Sequence, residues 1–245
     1  MRRLFIADVH ANLPAFEAVL RDAGPADEVV FLGDVVGFGP HPAACVELLR
    51  SLKPKAIVGN HDLSALARRG RPKALSCPVN WEDWTSAQLS TAQCEYLGSL
   101  PRELRLESCG CEARVIHHPA GAPYLHPHMP DEMLAEFFRD VPGRVVCFGH
   151  SHRRIDRVIR GRRFVCVPSV GEPRNGDSRA GYAVEEDGQI YFKFVSYAAQ
   201  PLIRDIQAIG LDERFCERWV RFVLTARDPE WSREYPPSNT RKGTA

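Results

Sequence analysis

Five short apolar runs in the first 152 residues each end in side chains that bind protons or metals, and no other feature constrains the fold as tightly. Leu4-Phe5-Ile6-Ala7 leads into Asp8-Val9-His10, and Val29-Val30-Phe31-Leu32 into Gly33-Asp34. Ala56-Ile57-Val58 leads into Gly59-Asn60-His61-Asp62, and Arg114-Val115-Ile116 into His117-His118. Val145-Val146-Cys147-Phe148 leads into Gly149-His150-Ser151-His152. Short apolar runs with such boundaries read as buried strands. The first three alternate with two helical segments, Pro14 to Arg21 (with Asn12 as N-cap) and Pro42 to Leu52. This β-α-β-α-β order predicts parallel pairing with right-handed crossovers. Open sheets of that kind gather ligands beyond the carboxyl ends of their strands, which is where these polar residues fall.

The second half changes character. Residues 63 to 100 are expected to be mostly helical, with one helix from Trp81 to Leu97. After Pro101 the apolar runs are close together, and the turns at Gly161 and Asp187-Gly188 read as hairpins, with Cys109-Gly110-Cys111 as a further turn. One helix, Asp131 to Arg139, interrupts them, and the insert from Pro119 to Pro130 reads as a loop. These halves predict an α/β fold in which a double β-sheet sandwich is flanked by helices, four layers in all. The expected organisation is one domain over residues 1–200, a helical extension over 201–227 and a flexible tail over 228–245, where Pro229, Pro236 and Pro237 lie among polar residues.

Charge and cysteine content narrow the function classes. The 32 basic and 31 acidic residues leave a net charge of +1, which gives no reason to expect nucleic acid or an anionic membrane as the main partner. The run Arg153, Arg154, Arg157, Arg160, Arg162 and Arg163 is expected to be a solvated strand pair. The eight cysteines contain no C-x-x-C pair, so no structural zinc site is predicted. With no apolar leader and no run of about 20 apolar residues, the expectation is a reduced, cytoplasmic protein.

The strand-end residues Asp8, His10, Asp34, Asn60, His117, His150 and His152 comprise two carboxylates, one amide and four imidazoles. Seven donors exceed what one ion takes and suit two ions sharing a carboxylate. Mixed nitrogen and oxygen ligation without thiolate fits Mn(II) first, with Fe, Zn, Ni or Co as alternatives. A two-metal site of this kind can clamp both oxygens of an in-line displacement at phosphorus. Residues two apart, as in Asp8-x-His10 and His150-x-His152, are expected to leave a strand end on the same side. His61 stands beside the donors and precedes Asp62, which is placed to orient it; such an imidazole suits protonation of a leaving alkoxide.

Taken together, Asp8-x-His10, Gly33-Asp34-x-x-Gly37, Gly59-Asn60-His61-Asp62, His117 and Gly149-His150-x-His152 resemble the five motifs of the calcineurin-like metallophosphoesterases. The segments Asp8 to Ala15 and Pro168 to Asp177 are similar to those of the small prokaryotic phosphodiesterase branch. The resemblance implies that Asp8, His10 and His152 bind one ion, that Asn60, His117 and His150 bind a second, and that Asp34 bridges. It further implies attack on phosphorus by a metal-bridging hydroxide, with His61 as the general acid and Asp62 as its support. Where the branch often has glycine, this chain has His118, a candidate substrate contact together with Arg174 on the late loop. His126 and His128 are expected to be surface residues or part of a lid. The expected activity is that of a phosphodiesterase or phosphatase acting on a small phosphoester. The alternatives are a non-catalytic scaffold on the same fold, as in the retromer subunit that resembles this family, or a nuclease.

Overall fold

The computed structural model describes residues 1–69 and 80–227. Two mixed five-stranded sheets lie face to face. The first contains β1 (Arg3–Ile6), β2 (Glu28–Phe31), β3 (Lys55–Ala56), β9 (Ala180–Glu186) and β10 (Gln189–Val195), in the order β10-β9-β1-β2-β3. The second contains β4 (Glu103–Ser108), β5 (Cys111–Ile116), β6 (Val145–Phe148), β7 (Ile155–Ile159) and β8 (Arg162–Cys166), in the order β4-β5-β6-β8-β7. β1, β2 and β3 pair in parallel, as do β5, β6 and β8, while β9 returns antiparallel against β1. The expected hairpins are present, and Cys109 and Gly110 turn between β4 and β5 with φ of 53° and 69°.

Strand period explains the layering. Phe5, Ala7, Val30 and Leu32 point inward against Val115, Cys147, Val165 and Val167 of the other sheet. Their neighbours Leu4, Ile6 and Phe31 point outward, onto α1 (Leu13–Ala23) and α2 (Pro42–Ser51) through Phe16, Val19, Val46 and Leu49. On the far side, Val146, Phe148 and Phe164 pack against Leu134 and Phe138 at α6 (Asp131–Phe137). Each buried Leu or Phe of this kind stabilises the fold by about 1.5–3 kcal/mol. The order is helix, sheet, sheet, helix.

Several local expectations change. The helix expected from Trp81 to Leu97 is two helices, α4 (Trp81–Gln88) and α5 (Thr91–Ser99). Ser90 starts the second one: its hydroxyl accepts from Gln93 N, and the Gln93 side chain accepts from Ser90 N. The Gly59-to-Asp62 motif that follows the third apolar run opens a helix, α3 (Asn60–Ala67), with Gly59 at its N-cap. The helical extension is a pair, α7 (Ala199–Ala208) and α8 (Glu213–Thr225), which packs on Phe38 beside the strand ends. The arginine run is solvated only in part: Arg154 and Arg160 are exposed, whereas Arg153 is buried and the other three are half-buried. Arg162 donates to the Gly143 and Phe138 carbonyls at 3.0 and 3.2 Å, Arg163 grips Asp156, and Arg157 reaches Met129 O and Asp131. These side chains tie the segment after the fourth motif to β7 and β8. Cys77 and the tail expected at 228–245 lie outside the described residues; the seven cysteines within them are free. Among the described residues, no helix is long and apolar enough to cross a membrane.

Candidate metal centre

The polar residues meet because the backbone is bent into an unusual conformation beneath them. Asp8, His10, Asp34, His150 and His152 have φ of 54°, 48°, 60°, 63° and 56°. Left-handed backbone of this kind costs L-residues of order 1–3 kcal/mol each and persists where the surroundings enforce it, typically at functional sites. Strand alternation, the reason expected for their convergence, is therefore not the cause, since these residues follow the strands in left-handed turns. Two glycines allow the crowding. A Cβ at Gly59 would fall 2.1 Å from Asp34 Oδ1, and one at Gly33 (φ 94°) would fall 2.7 Å from His117 Nδ1.

All seven expected donors face one region at the carboxyl ends of β1, β2, β3, β5 and β6. One group comprises Asp8, His10 and His152. Here His10 Nε2 and His152 Nε2 are 3.0 Å apart, and Asp8 Oδ1 is 3.5 Å from His152 Nε2. A second group comprises Asp34, His117 and His150. His117 Nε2 lies 3.1 Å from Asp34 Oδ2 and 3.0 Å from Asn60 Oδ1, and His150 Nδ1 lies 2.8 Å from the same amide oxygen. Asp34 Oδ2 is also 3.9 Å from His10 Nε2, so this carboxylate stands between the groups. His150 and His152 are divided between them. The first group is fully buried, whereas Asn60 at the edge of the second is exposed.

Counting protons shows that the residues fit cations. His117 Nδ1 donates to the Leu32 carbonyl at 2.7 Å, which in a neutral ring leaves Nε2 as a lone pair aimed at Asp34 and Asn60. Three acceptors then face one another. Similarly, His152 Nδ1 is 2.7 Å from the Glu172 carbonyl, which turns its Nε2 lone pair toward His10. Asp34 Oδ2 is buried with no hydrogen-bond donor aligned on it. Without metal, a proton must fill the second gap. Burial opposes charge on His117, but Asp34 and then Asp8 outweigh it and raise its pKa to about 10. Burial and the Asp34 charge push Asp8 up to about 8. Burial also works against the Asp34 carboxylate, yet His117, His61 and His10 hold it well below the usual range. Burial, followed by His117 and His118, drives His150 down to about 2, so it is a neutral donor.

His61 sits in the first turn of α3, with its backbone N–H donating to Asp34 Oδ1 at 2.8 Å. Its ring meets His10 edge-on at 5.0 Å, and Nδ1 is buried without a hydrogen-bond partner. The expectation that Asp62 supports this ring is corrected. The Asp62 carboxylate accepts from the backbone N–H groups of Asp34, Val35, Val36 and Gly59, at 2.9 to 3.1 Å. It locks the second motif to the third instead.

Of the adjacent histidines, His117 faces Asp34. His118 lies over the His150 ring at 4.0 Å, with Nε2 3.3 Å from the Pro123 carbonyl. His126 Nδ1 accepts from His128 N. Arg174, expected as a phosphate contact, is buried, donates to Glu172 Oε2 at 2.9 Å and lies over Tyr124 at 4.5 Å. Two residues escaped the sequence reading. Glu172 Oε2 is 3.0 Å from His152 Nδ1 and 3.7 Å from His10 Nε2, and Tyr124 stacks on His150 at 4.6 Å and 1°. An acid within the late-loop segment Pro168 to Asp177 was the available signal for Glu172; Tyr124 carried none.

The family model described as the calcineurin-like phosphoesterase superfamily domain matches residues 1–187. An uncharacterised protein of Methanocaldococcus jannaschii, MJ0912, is 29% identical over 87% of this chain and 95% of its own length. The crystal structure of a metallophosphoesterase from Sphaerobacter thermophilus shares 32% identity at a TM-score of 0.75, covering 89% of this chain and 98% of that one. A symmetrical bis(5'-nucleosyl)-tetraphosphatase of Shewanella baltica is 28% identical over 51% of this chain and 46% of its own length.

Proposed function

The chain belongs to the calcineurin-like phosphoesterase superfamily, and on that premise we propose that it hydrolyses small phosphoesters, diesters in preference, with the help of two divalent cations. The observation that carries this is the set of acceptors facing one another around the buried Asp34 carboxylate, an arrangement that a cation satisfies and neutral protein does not. Asp8, His10 and His152 would hold one ion, Asn60, His117 and His150 the other, and Asp34 both; Mn(II) is the first choice, ahead of Fe, Zn, Ni or Co. When bound, such ions supply Lewis acidity toward phosphoryl oxygen and an activated nucleophile derived from water.

The chain's own residues do the rest. Leu32 O and Glu172 O fix the rings of His117 and His152 so that each Nε2 faces inward. Asp62 holds the Asp34 turn against the start of α3 through four backbone amides. The first turn of α3 carries His61, whose imidazole gives its proton to the leaving alkoxide. The tetraphosphatase name of a partly matching relative favours a nucleotide-like phosphoester among the substrates worth trying first. The test is hydrolysis of a generic aryl phosphodiester with added Mn(II), compared with the matching monoester. Activity that chelator removes and metal restores is expected, with the diester turned over faster. Absence of turnover with all five metals would refute the proposal.

A further inference from the structure

A cavity of about 330 Å³ opens beside His61. Among the described residues, its lining includes His61 and Glu172 but none of the seven donor side chains, so it adjoins the metal centre without being part of it. Six of its nine lining residues are Phe, Tyr or Trp, against 9% aromatic content in the whole chain, so the lining is far from an average sample of this sequence. The rings are ordered. Phe38 and Trp81 stack at 4.5 Å and 21°, and Trp81 and Phe215 face each other at 6.2 Å and 11°. His61 continues the series, 4.8 Å from Phe38 and 5.7 Å from Trp81. Phe215 comes from α8 and Trp81 from the first turn of α4, and both are only partly buried, whereas Trp219 behind them belongs to the packed core of the helix pair.

We infer that this cavity receives the leaving-group side of the substrate and selects a flat aromatic ring there, either an aryl group or a nucleobase. The inference rests on the phosphoester reading above. An oxygen protonated by His61 must lie within hydrogen-bond reach of it. Whatever that oxygen carries then continues into the space that His61 also lines. Trp81 and Phe215 lie too close to admit a ring between them, so a planar group packs on the partly exposed sides of these rings and gains offset or edge-to-face contacts that an aliphatic group of similar bulk lacks.

Binding can be measured apart from turnover. Isothermal titration of the full chain, loaded with Mn(II), would use three non-hydrolysable probes: 2-phenylethylphosphonate, 2-cyclohexylethylphosphonate and an adenosine 5'-phosphonate. At least one aromatic probe is expected to bind roughly tenfold tighter than the cyclohexyl compound, as stacking energies imply. The tighter of the two aromatic probes tells aryl from nucleobase. Phe215→Ala should shrink that ratio toward one, and Phe215→Leu, which keeps the bulk without the ring, provides the same comparison if the alanine variant folds poorly. Equal affinities for all three probes, or a ratio unchanged in a folded Phe215 variant, would overturn the inference. In parallel, methyl 2-phenylethyl and methyl 2-cyclohexylethyl phosphodiesters, whose leaving alcohols are both simple alkanols, are assayed for hydrolysis. A kcat/KM that follows the binding ratio supports the leaving-group assignment. A binding preference without hydrolysis of either ester would instead remove the hydrolase reading and the leaving-group assignment with it.

Discussion

At the scale of single residues, two neighbours on one helical turn do different work. His61 presents an imidazole to the cavity, while Asp62 turns its carboxylate to four backbone amides. Their substitutions should separate accordingly. His61→Ala is expected to bind metal as the parent does and to lose roughly 10²–10⁴ in kcat, the usual worth of a general acid; metal analysis beside a rate measurement checks both halves. Full activity in that variant would remove the acid assignment. Asp62→Ala leaves buried amides without an acceptor, so it should lower stability by about 2–4 kcal/mol in urea unfolding. Asp34→Asn removes the shared charge between the two groups and should release metal on dialysis. The donors were legible in the sequence because each follows an apolar run directly. The role of Asp62 was not, since adjacency to His61 suggested a partner in the ring and three of the four amides it binds come from residues 34 to 36, far back in the chain.

At the scale of elements, the helices and turns hold the site through a few polar anchors. Asn12 caps α1 by accepting from Ala15 N, and its amide donates to Gly171 O and Tyr197 Oη, at 3.1 Å in each case. Asn12→Ala should therefore cost about 1–2 kcal/mol, at or above a cap alone, in thermal or urea unfolding. Strands and the first two helices could be read because apolar period and proline mark them. The break between α4 and α5 carried a readable signature as well, Ser90 followed by Gln93 three residues later, which the apolar pattern obscured. What no local pattern reveals is company across the chain. Tyr124 finds His150, Glu172 finds His152, and Phe215 finds Trp81 only once the sheets close and α8 folds back.

For the whole molecule, the sandwich brings five strand ends to one rim and the buried charge there must be balanced. In the metal-free site His117 holds a proton up to a pKa of about 10, and Asp8 up to about 8. Ion uptake at neutral pH must expel those protons, so affinity should rise as pH increases through 7 to 8. Titration of Mn(II) in buffers of different ionisation enthalpy should show one to two protons released per protein; none released would contradict the charge assignment. Bound metal should also raise the melting temperature, since the folded site alone assembles the donors. The most direct test of the central claim is anomalous diffraction at the Mn edge from crystals grown with Mn(II). Two peaks flanking Asp34, one against Asp8, His10 and His152 and the other against Asn60, His117 and His150, are expected. A single peak elsewhere, or none with the imidazoles turned apart, would contradict the account.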